Sequence, residues 1–234
     1  MARGYSPRGG STENDSSTRH GVKYILPLVA ASRVIAYIDG FNLYHGLRAA
    51  GLKDSRWLDL HGMCMSLLHP DEQLELVRYF TSWVKDNHVK AARQAVYVDA
   101  LRARGGIEID FGHFLSSTVQ CFECGNVWRK NEEKKTDVNV AVRLLEDASD
   151  DRFDTAIVVS GDSDLVPPVE SVLRRFPRKR VIVAFPPRRR SSQLAQAASA
   201  ADSIYPQTVR TNRLPDPVRT SGGVDLYAPS GWLP

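Results

Sequence analysis

The chain has 234 residues, of which 42% are hydrophobic and 25% charged, and its formal net charge is +4. This composition is ordinary for a soluble globular protein, and the length allows one α/β domain with extensions. No apolar stretch approaches the roughly 20 residues that cross a bilayer, so no membrane partner is expected. Three cysteines argue against a disulfide framework and predict a reducing, cytoplasmic setting.

Two segments of unusual composition flank a central domain. Residues 1–32 begin with a run rich in Gly, Ser, Arg and Asn and are predicted to be a disordered tail. Residues 207–234 are rich in proline and are predicted to be an extended C-terminal tail. Its aromatic residues Tyr227 and Trp232 could dock on the body of the protein or on a partner, and the sequence does not decide between the two. The predicted folded domain therefore covers residues 33–206.

Strand and helix patterns alternate along this domain. The first half is predicted to contain a strand over 34–38, helices over 41–50 and 60–68, a strand over 74–84, a helix over 90–104 and a strand over 107–114. An irregular, cysteine-containing insert over 118–135 follows. The second half is predicted to contain a helix over 137–148, a strand over 155–159, a helix over 166–176, a strand over 180–185, a helix over 191–201 and a strand over 203–205. The alternation predicts a three-layer α/β/α sandwich with a mostly parallel sheet.

Two carboxylates follow the buried strand over 155–159. Ser160 and Gly161 end that strand, and Asp162 and Asp164 come directly after. Ligands bind at the carboxyl ends of the strands in an open α/β sheet. Carboxylates this close repel each other unless a cation lies between them, so the pattern favours a divalent metal. The alternative is that one aspartate only caps the following helix.

Two further aspartates are predicted at the same edge of the sheet. Asp39 ends the first strand, and Asp137 begins the helix after the insert. With Mg²⁺ or Mn²⁺ bound, such carboxylates stay ionised and leave coordination positions for water and phosphate oxygens. Asn42, at the start of the first helix, either positions a water or phosphate oxygen or caps that helix.

Three segments carry a family resemblance. VIAYIDGFNLY (34–44), KKTDVNVAV (134–142) and VVSGDSDL (158–165) resemble, in order, the signatures of the NYN domain of the PIN-like nuclease superfamily, with the LabA-like branch as the most similar. The resemblance implies a metal-dependent endoribonuclease that hydrolyses RNA phosphodiesters at an acidic Mg²⁺ or Mn²⁺ site. It implies Asp39, Asp137 and Asp162 as metal ligands and Asp164 as a supporting carboxylate. Asn42 is then the polar partner of the first motif, and Ser160 hydrogen-bonds within the pocket.

Basic residues are predicted on both flanks of this site. Arg188, Arg189 and Arg190 follow the strand over 180–185, and Lys134 and Lys135 precede Asp137. Cations in these places would hold a phosphate backbone near a negative site, although a solvated charged turn has the same composition. RNA is the expected partner, with single-stranded DNA as another substrate. The alternative function is a non-catalytic RNA- or nucleotide-binding regulatory module that uses the same pocket.

The remaining candidates have simpler explanations. Cys121 and Cys124 have the spacing of a zinc knuckle, but zinc needs four ligands. His113 or Cys64 would have to complete the site, or a second subunit of a homodimer would supply its own pair. A reduced hairpin without metal is favoured. The aromatic residues Trp57, Tyr79, Phe80 and Trp83 are predicted to be core or half-buried residues, and His45 an ordinary surface histidine.

Overall fold

The computed structural model describes residues 31–85, 87–120, 123–134 and 136–234, and of residues 113–120 and 128–134 it describes the backbone alone. The predicted N-terminal tail lies almost wholly outside these ranges. The first elements are β1 (Ser32–Asp39), α1 (Gly40–Ala49), α2 (Leu60–Met65), β2 (Glu72–Thr81), α3 (His88–Arg104), β3 (Ile107–Phe111), β4 (His113–Gln120) and β5 (Val127–Lys134). The later ones are α4 (Thr136–Ser149), β6 (Thr155–Val159), α5 (Val166–Arg175), β7 (Arg180–Phe185), α6 (Ser192–Ala197), β8 (Ala200–Ser203), α7 (Pro206–Thr211), β9 (Val218–Arg219) and β10 (Asp225–Leu226).

Six strands form the central sheet in the order β3-β2-β1-β6-β7-β8, and all neighbouring pairs are parallel. The chain winds outward in one direction from β1 to β3 and in the other from β6 to β8. The strand order therefore reverses between β1 and β6. In open α/β sheets this reversal opens a crevice at the carboxyl ends of the two strands.

β1 explains why the sheet is covered on both faces. Its side chains alternate, so that Val34, Ala36 and Ile38 join the core under α1, α2 and α3. Ile35 and Tyr37 join a second core under α4, α5 and α6. A strand buried on both faces has no polar side, which is why this one is a continuous apolar run in the sequence. The predicted three-layer α/β/α fold is confirmed.

The insert differs from its predicted irregular form. β4 and β5 pair as an antiparallel hairpin over residues 113–120 and 127–134, and they form a two-stranded sheet of their own. The two strands pair the backbone groups that face each other, so the segment forms without joining the central sheet. Its high charge had concealed the strand pattern.

Two helices are shorter than predicted. α2 ends at Met65 instead of at residue 68, and α6 ends at Ala197 instead of at residue 201. The amide of Ser199 donates to the carbonyl of Val181 at 2.8 Å, so pairing with β7 replaces the last helical turn. None of the described helices combines the length and apolar composition needed to cross a membrane.

The C-terminal segment packs on the body instead of extending away from it. Val209, Leu214 and Val218 are buried in the core under α1, α2 and α3. The indole Nε1 of Trp57 donates to the carbonyl of Pro215 at 2.8 Å. The sequence did not show where Trp232 and Tyr227 dock. In the structure Trp232 packs against this core, whereas Tyr227 is 62% exposed.

Candidate functional site

Asp39 lies buried at the carboxyl end of β1, where the strand order reverses. Its Oδ1 accepts a hydrogen bond from the backbone amide of Asn42 at 2.9 Å, which makes Asp39 the N-cap of α1. Its Oδ2 accepts from the hydroxyl of Ser160 at 3.1 Å. One carboxylate thus starts α1 and joins β1 to the loop after β6, and its position is fixed from both sides.

The loop after β6 is held by a short series of hydrogen bonds. The Oγ of Ser160 accepts from the amide of Asp162 at 3.1 Å, and the Oδ1 of Asp162 accepts from the amide of Asp164 at 3.0 Å. Asp162 therefore caps the 3₁₀ turn over Ser163–Leu165, as the capping alternative predicted. Capping occupies one oxygen, so the second oxygen remains for another role.

Asn42 connects the two loops instead of capping α1. Its side-chain Oδ1 accepts from the amide of Gly161 at 3.0 Å, while the cap of α1 is Asp39. The side chain is buried between the end of β1 and the loop after β6. Its amide thus holds together the two segments that carry Asp39 and Asp162.

The fourth element of the site is the first turn of α4. Asp137 lies there, and Thr136 beside it is buried. Burial, followed by repulsion from Asp39, Asp162 and Asp164, raises the pKa of Asp137 to about 6. Burial and the charge of Asp162 also raise the pKa of Asp39, against the opposing effect of its hydrogen bonds to Asn42 and Ser160. The four aspartates, named here the acidic centre, therefore lie within electrostatic range of one another.

The acidic centre has the donor chemistry of a site for a hard divalent cation. Carboxylate oxygens are the ligands that Mg²⁺ and Mn²⁺ prefer, and a cation would remove the repulsion that raises the pKa of Asp137. In the described part of the chain, no three His, Cys, Asp or Glu side chains are close enough together to hold a metal ion as placed. The carboxylates fit such an ion by charge and by donor type, and they interact through space without forming a ligand cluster.

One residue of the predicted arginine cluster, Arg189, lies beside the loop that carries Asp162. A Cβ built on Gly161 would lie 2.4 Å from the carbonyl oxygen of Arg189, and one built on Gly46 would lie 2.8 Å from Pro186. These two glycines let the loop after β7 approach both α1 and the loop after β6. Sequence reasoning missed both contacts, although a glycine directly after a buried strand is a usual signal of close backbone approach.

The structure describes the side chains of the three predicted arginines but not those of the two predicted lysines. Arg188, Arg189 and Arg190 are exposed, Arg188 has a φ of +61°, and the guanidinium of Arg190 lies 5.1 Å from the ring centre of Phe185. The side chain of Lys134 and the whole of Lys135 lie outside the described residues. Their predicted contact with substrate stays a prediction.

His45 is exposed, as predicted, and it also lies near the site. Burial, followed by the charges of Arg189 and Arg48, lowers the pKa of His45, and Asp39 opposes this shift. The imidazole is therefore within electrostatic range of both the acidic centre and the arginine loop. The lowered pKa favours the neutral form of the imidazole.

The cysteines give no complete metal site in the described residues. Cys121 lies outside them, and Cys124 is exposed in the turn between β4 and β5. Cys64 lies in the core, where burial raises the pKa of its thiol to about 12 and disfavours the thiolate that zinc requires. Cys64 therefore does not suit the role of third ligand. Zinc at Cys121 and Cys124, and the homodimer that would complete it, stay predictions.

Two known proteins resemble the chain over much of its length. It is 28% identical over 176 residues to 6-hydroxy-3-succinoylpyridine 3-monooxygenase HspA of Pseudomonas putida, a match that covers 60% of this chain and 55% of that protein. The crystal structure of a protein of unknown function from Vibrio parahaemolyticus aligns with a TM-score of 0.56 and 20% identity, over 77% of this chain and 98% of that one. The second likeness concerns the fold alone.

The family follows from a match over most of the folded body. The NYN domain family matches residues 33–204, from the start of β1 to just beyond β8, and the match includes every aspartate of the acidic centre. The chain belongs to the NYN domain family, within the PIN-like nuclease superfamily.

Proposed function

We propose that the protein is a metal-dependent endoribonuclease that hydrolyses RNA phosphodiesters at the acidic centre. The observation that carries the proposal is that hydrogen bonds join Asp39 to the loop of Asp162 and Asp164 at the crevice between β1 and β6, within electrostatic range of Asp137. Burial and their mutual repulsion raise the pKa of Asp137 to about 6, so the site favours a positive charge. Membership of a nuclease superfamily supports the same chemistry.

Asp39, Asp137 and Asp162, helped by Asp164, would hold Mg²⁺ or Mn²⁺. A bound divalent ion lowers the pKa of water and offsets the charge that develops on a phosphoryl group. Ser160 and Asn42 keep the carboxylate of Asp39 and the loop of Asp162 in fixed positions through their hydrogen bonds.

The cations around the acidic centre would hold the RNA. Arg189 lies against Gly161, and Arg188 and Arg190 are its exposed neighbours. Lys134 and Lys135 precede Asp137 in sequence. Contacts of this kind with phosphates supply affinity without reading sequence, so binding through them weakens steeply with salt.

Asp162→Asn tests the proposal directly. The amide keeps an oxygen that can cap the turn over Ser163–Leu165, so the variant is expected to fold, but it loses the negative charge that attracts a cation. Cleavage of labelled single-stranded RNA in Mn²⁺ should fall by at least about 100-fold, since even outer groups of metal sites change activity 10–100-fold. EDTA should abolish cleavage by the unaltered protein.

Asp150→Asn is the matched control, because Asp150 is exposed beyond α4 and outside the acidic centre. Its rate should equal that of the unaltered protein. Equal cleavage by the Asp162→Asn variant and the unaltered protein would refute the proposal. Parallel reactions with single-stranded DNA decide which nucleic acid is the substrate.

The alternative is a regulatory module that binds RNA or a nucleotide in the same pocket without cutting it. Binding of RNA in Mn²⁺ with no cleavage of any RNA or DNA substrate would favour that function. The four carboxylates of the acidic centre argue for the enzyme, because a protein that only binds polyanions gains nothing from negative charge at its site.

The Pseudomonas monooxygenase bears the name of a different reaction, on a pyridine that carries a succinoyl group. That activity is not carried over to this chain, because the match has 28% identity and spans 55% of the enzyme.

A further inference from the structure

A cavity of about 400 Å³ lies on the other side of α1 from the loop after β6. Its walls come from α1, from the end of β2, from α3 and from the C-terminal segment through Trp232. Gly40 and Phe41, which follow Asp39 directly, form one end of the wall. The cavity is named here the aromatic–basic cavity, and it lies beside the acidic centre without including any of the four aspartates.

Flat rings form much of this wall: Phe41, Tyr44, Tyr79, Tyr97 and Trp232. The hydroxyl of Tyr97 donates to the carbonyl of Leu58 at 2.8 Å, and its ring meets that of Trp232 edge-on at 5.7 Å. These contacts fix the rings before any ligand arrives. Fixed aromatic faces and edges of this kind suit a flat aromatic guest, and they lose little conformational entropy when it binds.

The charged residues of the wall all have the same sign: Arg48, Arg56, Lys90 and Arg93. No carboxylate is among the lining residues that the structure describes. Arg56 lies 5.3 Å from the ring centre of Trp232 and donates to the carbonyl of Gly231 at 3.3 Å.

The other three cations of the wall are Arg48, Lys90 and Arg93. In the described ranges, Arg48, Lys90 and Arg93 make no salt bridge, although other arginines of the body do. His45 also lines the cavity, and the charges of Arg48 and Arg189 help to lower its pKa. The wall is therefore positive and lacks an internal counter-ion.

We propose that the aromatic–basic cavity binds a flat aromatic ring that carries an anionic group. The ring would lie among the aromatic side chains, and the anion would meet Arg48, Lys90 and Arg93. Such a ligand is either a nucleotide, as part of a nucleic acid or free, or a small aromatic carboxylate. The proposal concerns binding alone and holds whether or not the acidic centre cleaves RNA.

The aromatic–basic cavity lies close to the acidic centre, because Gly40 of its wall directly follows Asp39. A Cβ on Gly40 would lie 2.7 Å from the ring of Tyr79 and 2.7 Å from the carbonyl oxygen of Phe80, so the turn after Asp39 packs directly on the cavity wall. The aromatic–basic cavity therefore adjoins the acidic centre at Gly40.

Titration of the full chain in EDTA tests the proposal without involving metal at the acidic centre. The probes are adenosine and uridine monophosphates, adenosine without phosphate, inorganic phosphate without a ring, and pyridine-3-carboxylate. At least one probe that combines ring and anion should bind at least tenfold more tightly than adenosine or phosphate alone. Binding of the nucleotides alone assigns the site to nucleic acid, and binding of the carboxylate alone assigns it to a small aromatic acid.

Substitutions of the wall cations on α3, with a control on the same helix, locate the site. Arg93→Gln removes a cation of the wall and should weaken binding about 10- to 100-fold, as the loss of a hydrogen bond to a charged group does. Arg102→Gln, on the same helix but outside the cavity, should leave binding unchanged. Lys90→Gln, at an exposed position, repeats the test where folding is not at risk. Two results would overturn the proposal: binding by the Arg93→Gln and Lys90→Gln variants as tight as that by the unaltered protein, or no probe with both ring and anion binding more tightly than adenosine and phosphate.

Discussion

At the scale of single residues, the acidic centre combines structural and chemical roles in the same side chains. Asp39 caps α1, and Asp162 caps the 3₁₀ turn that precedes α5. The capping alternative and the site hypothesis therefore do not exclude each other. A cap holds the carboxylate through one oxygen, and in Asp39 the second oxygen accepts from Ser160, so hydrogen bonds pre-organise the group.

The negative charge of Asp137 lowers the free energy of unfolding of the protein. Its pKa of about 6 lies above its ordinary value, so the folded chain binds this proton more tightly than the unfolded chain does. The resulting stability is present below about pH 4 and is lost as the pH rises through about 6. In EDTA at pH 7.5, Asp137→Asn should therefore raise the melting temperature by about 2–4 °C for each kcal/mol of repulsion removed.

Thermal melts at pH 5 and pH 7.5 check this sign. The advantage of the Asp137→Asn variant should shrink at pH 5, where Asp137 of the unaltered protein is largely protonated. Mn²⁺ should raise the melting temperature of the unaltered protein at pH 7.5 more than that of the variant. Asp150→Asn serves as the control and should show neither effect. A variant less stable at pH 7.5 than at pH 5, relative to the unaltered protein, would contradict the argument.

At the scale of elements, β2 and α4 are joined by a buried ion pair that the sequence did not reveal. The guanidinium of Arg78 contacts both carboxylate oxygens of Asp147, at 2.7 and 3.0 Å, and each side chain is only 3% exposed. The hydroxyl of Tyr37 donates to the same carboxylate at 2.7 Å. Although burial alone would raise the pKa of Asp147, these partners hold it below its usual value.

Breaking this pair from either side should destabilise the fold strongly. Arg78→Met leaves the buried carboxylate of Asp147 with Tyr37 and the more exposed Arg152. Asp147→Leu leaves the buried guanidinium of Arg78 with Glu108, so each change should cost about 3 kcal/mol, the lower end of the range for breaking a buried pair. The double variant should recover much of that loss, since two apolar side chains of similar size remove both charges together. Urea denaturation of the four proteins measures the coupling. A double variant as unstable as the sum of the two single variants would exclude it.

The sequence predicted the parts of the fold that depend on local pattern. The burial of β1 and β6, the helix of α4 and the position of Asp39 follow from apolar periodicity and strand ends. The Arg78–Asp147 pair joins residues 69 positions apart in sequence, and no local signal marks such a contact. The aromatic–basic cavity had a partial signal, because Lys90, Arg93 and Tyr97 lie three and four residues apart and so share one face of α3.

At the scale of the whole molecule, the proline-rich C-terminal segment completes the core under α1, α2 and α3. Composition predicted an extended tail because prolines and glycines dominate it, but composition does not reveal which few apolar residues find a partner. Leu214 and Val218 are 3% and 6% exposed, and Trp232 closes one wall of the aromatic–basic cavity. The segment therefore contributes both to the stability of the body and to the shape of the cavity.

The two descriptions of this segment predict different effects of substitution. Leu214→Ala would be nearly neutral in an extended tail, whereas loss of a buried leucine side chain costs about 2–5 kcal/mol. We expect the larger cost, because Leu214 packs in the core and its amide donates to the carbonyl of Trp57 at 3.1 Å, which ties the segment to the body. Tyr227→Ala, at a 62% exposed position of the same segment, should change stability by less than about 0.5 kcal/mol. Urea denaturation separates the two descriptions. If the Leu214→Ala and Tyr227→Ala variants are equally stable, the segment is an extended tail. If only Leu214→Ala loses stability, the segment is part of the folded domain.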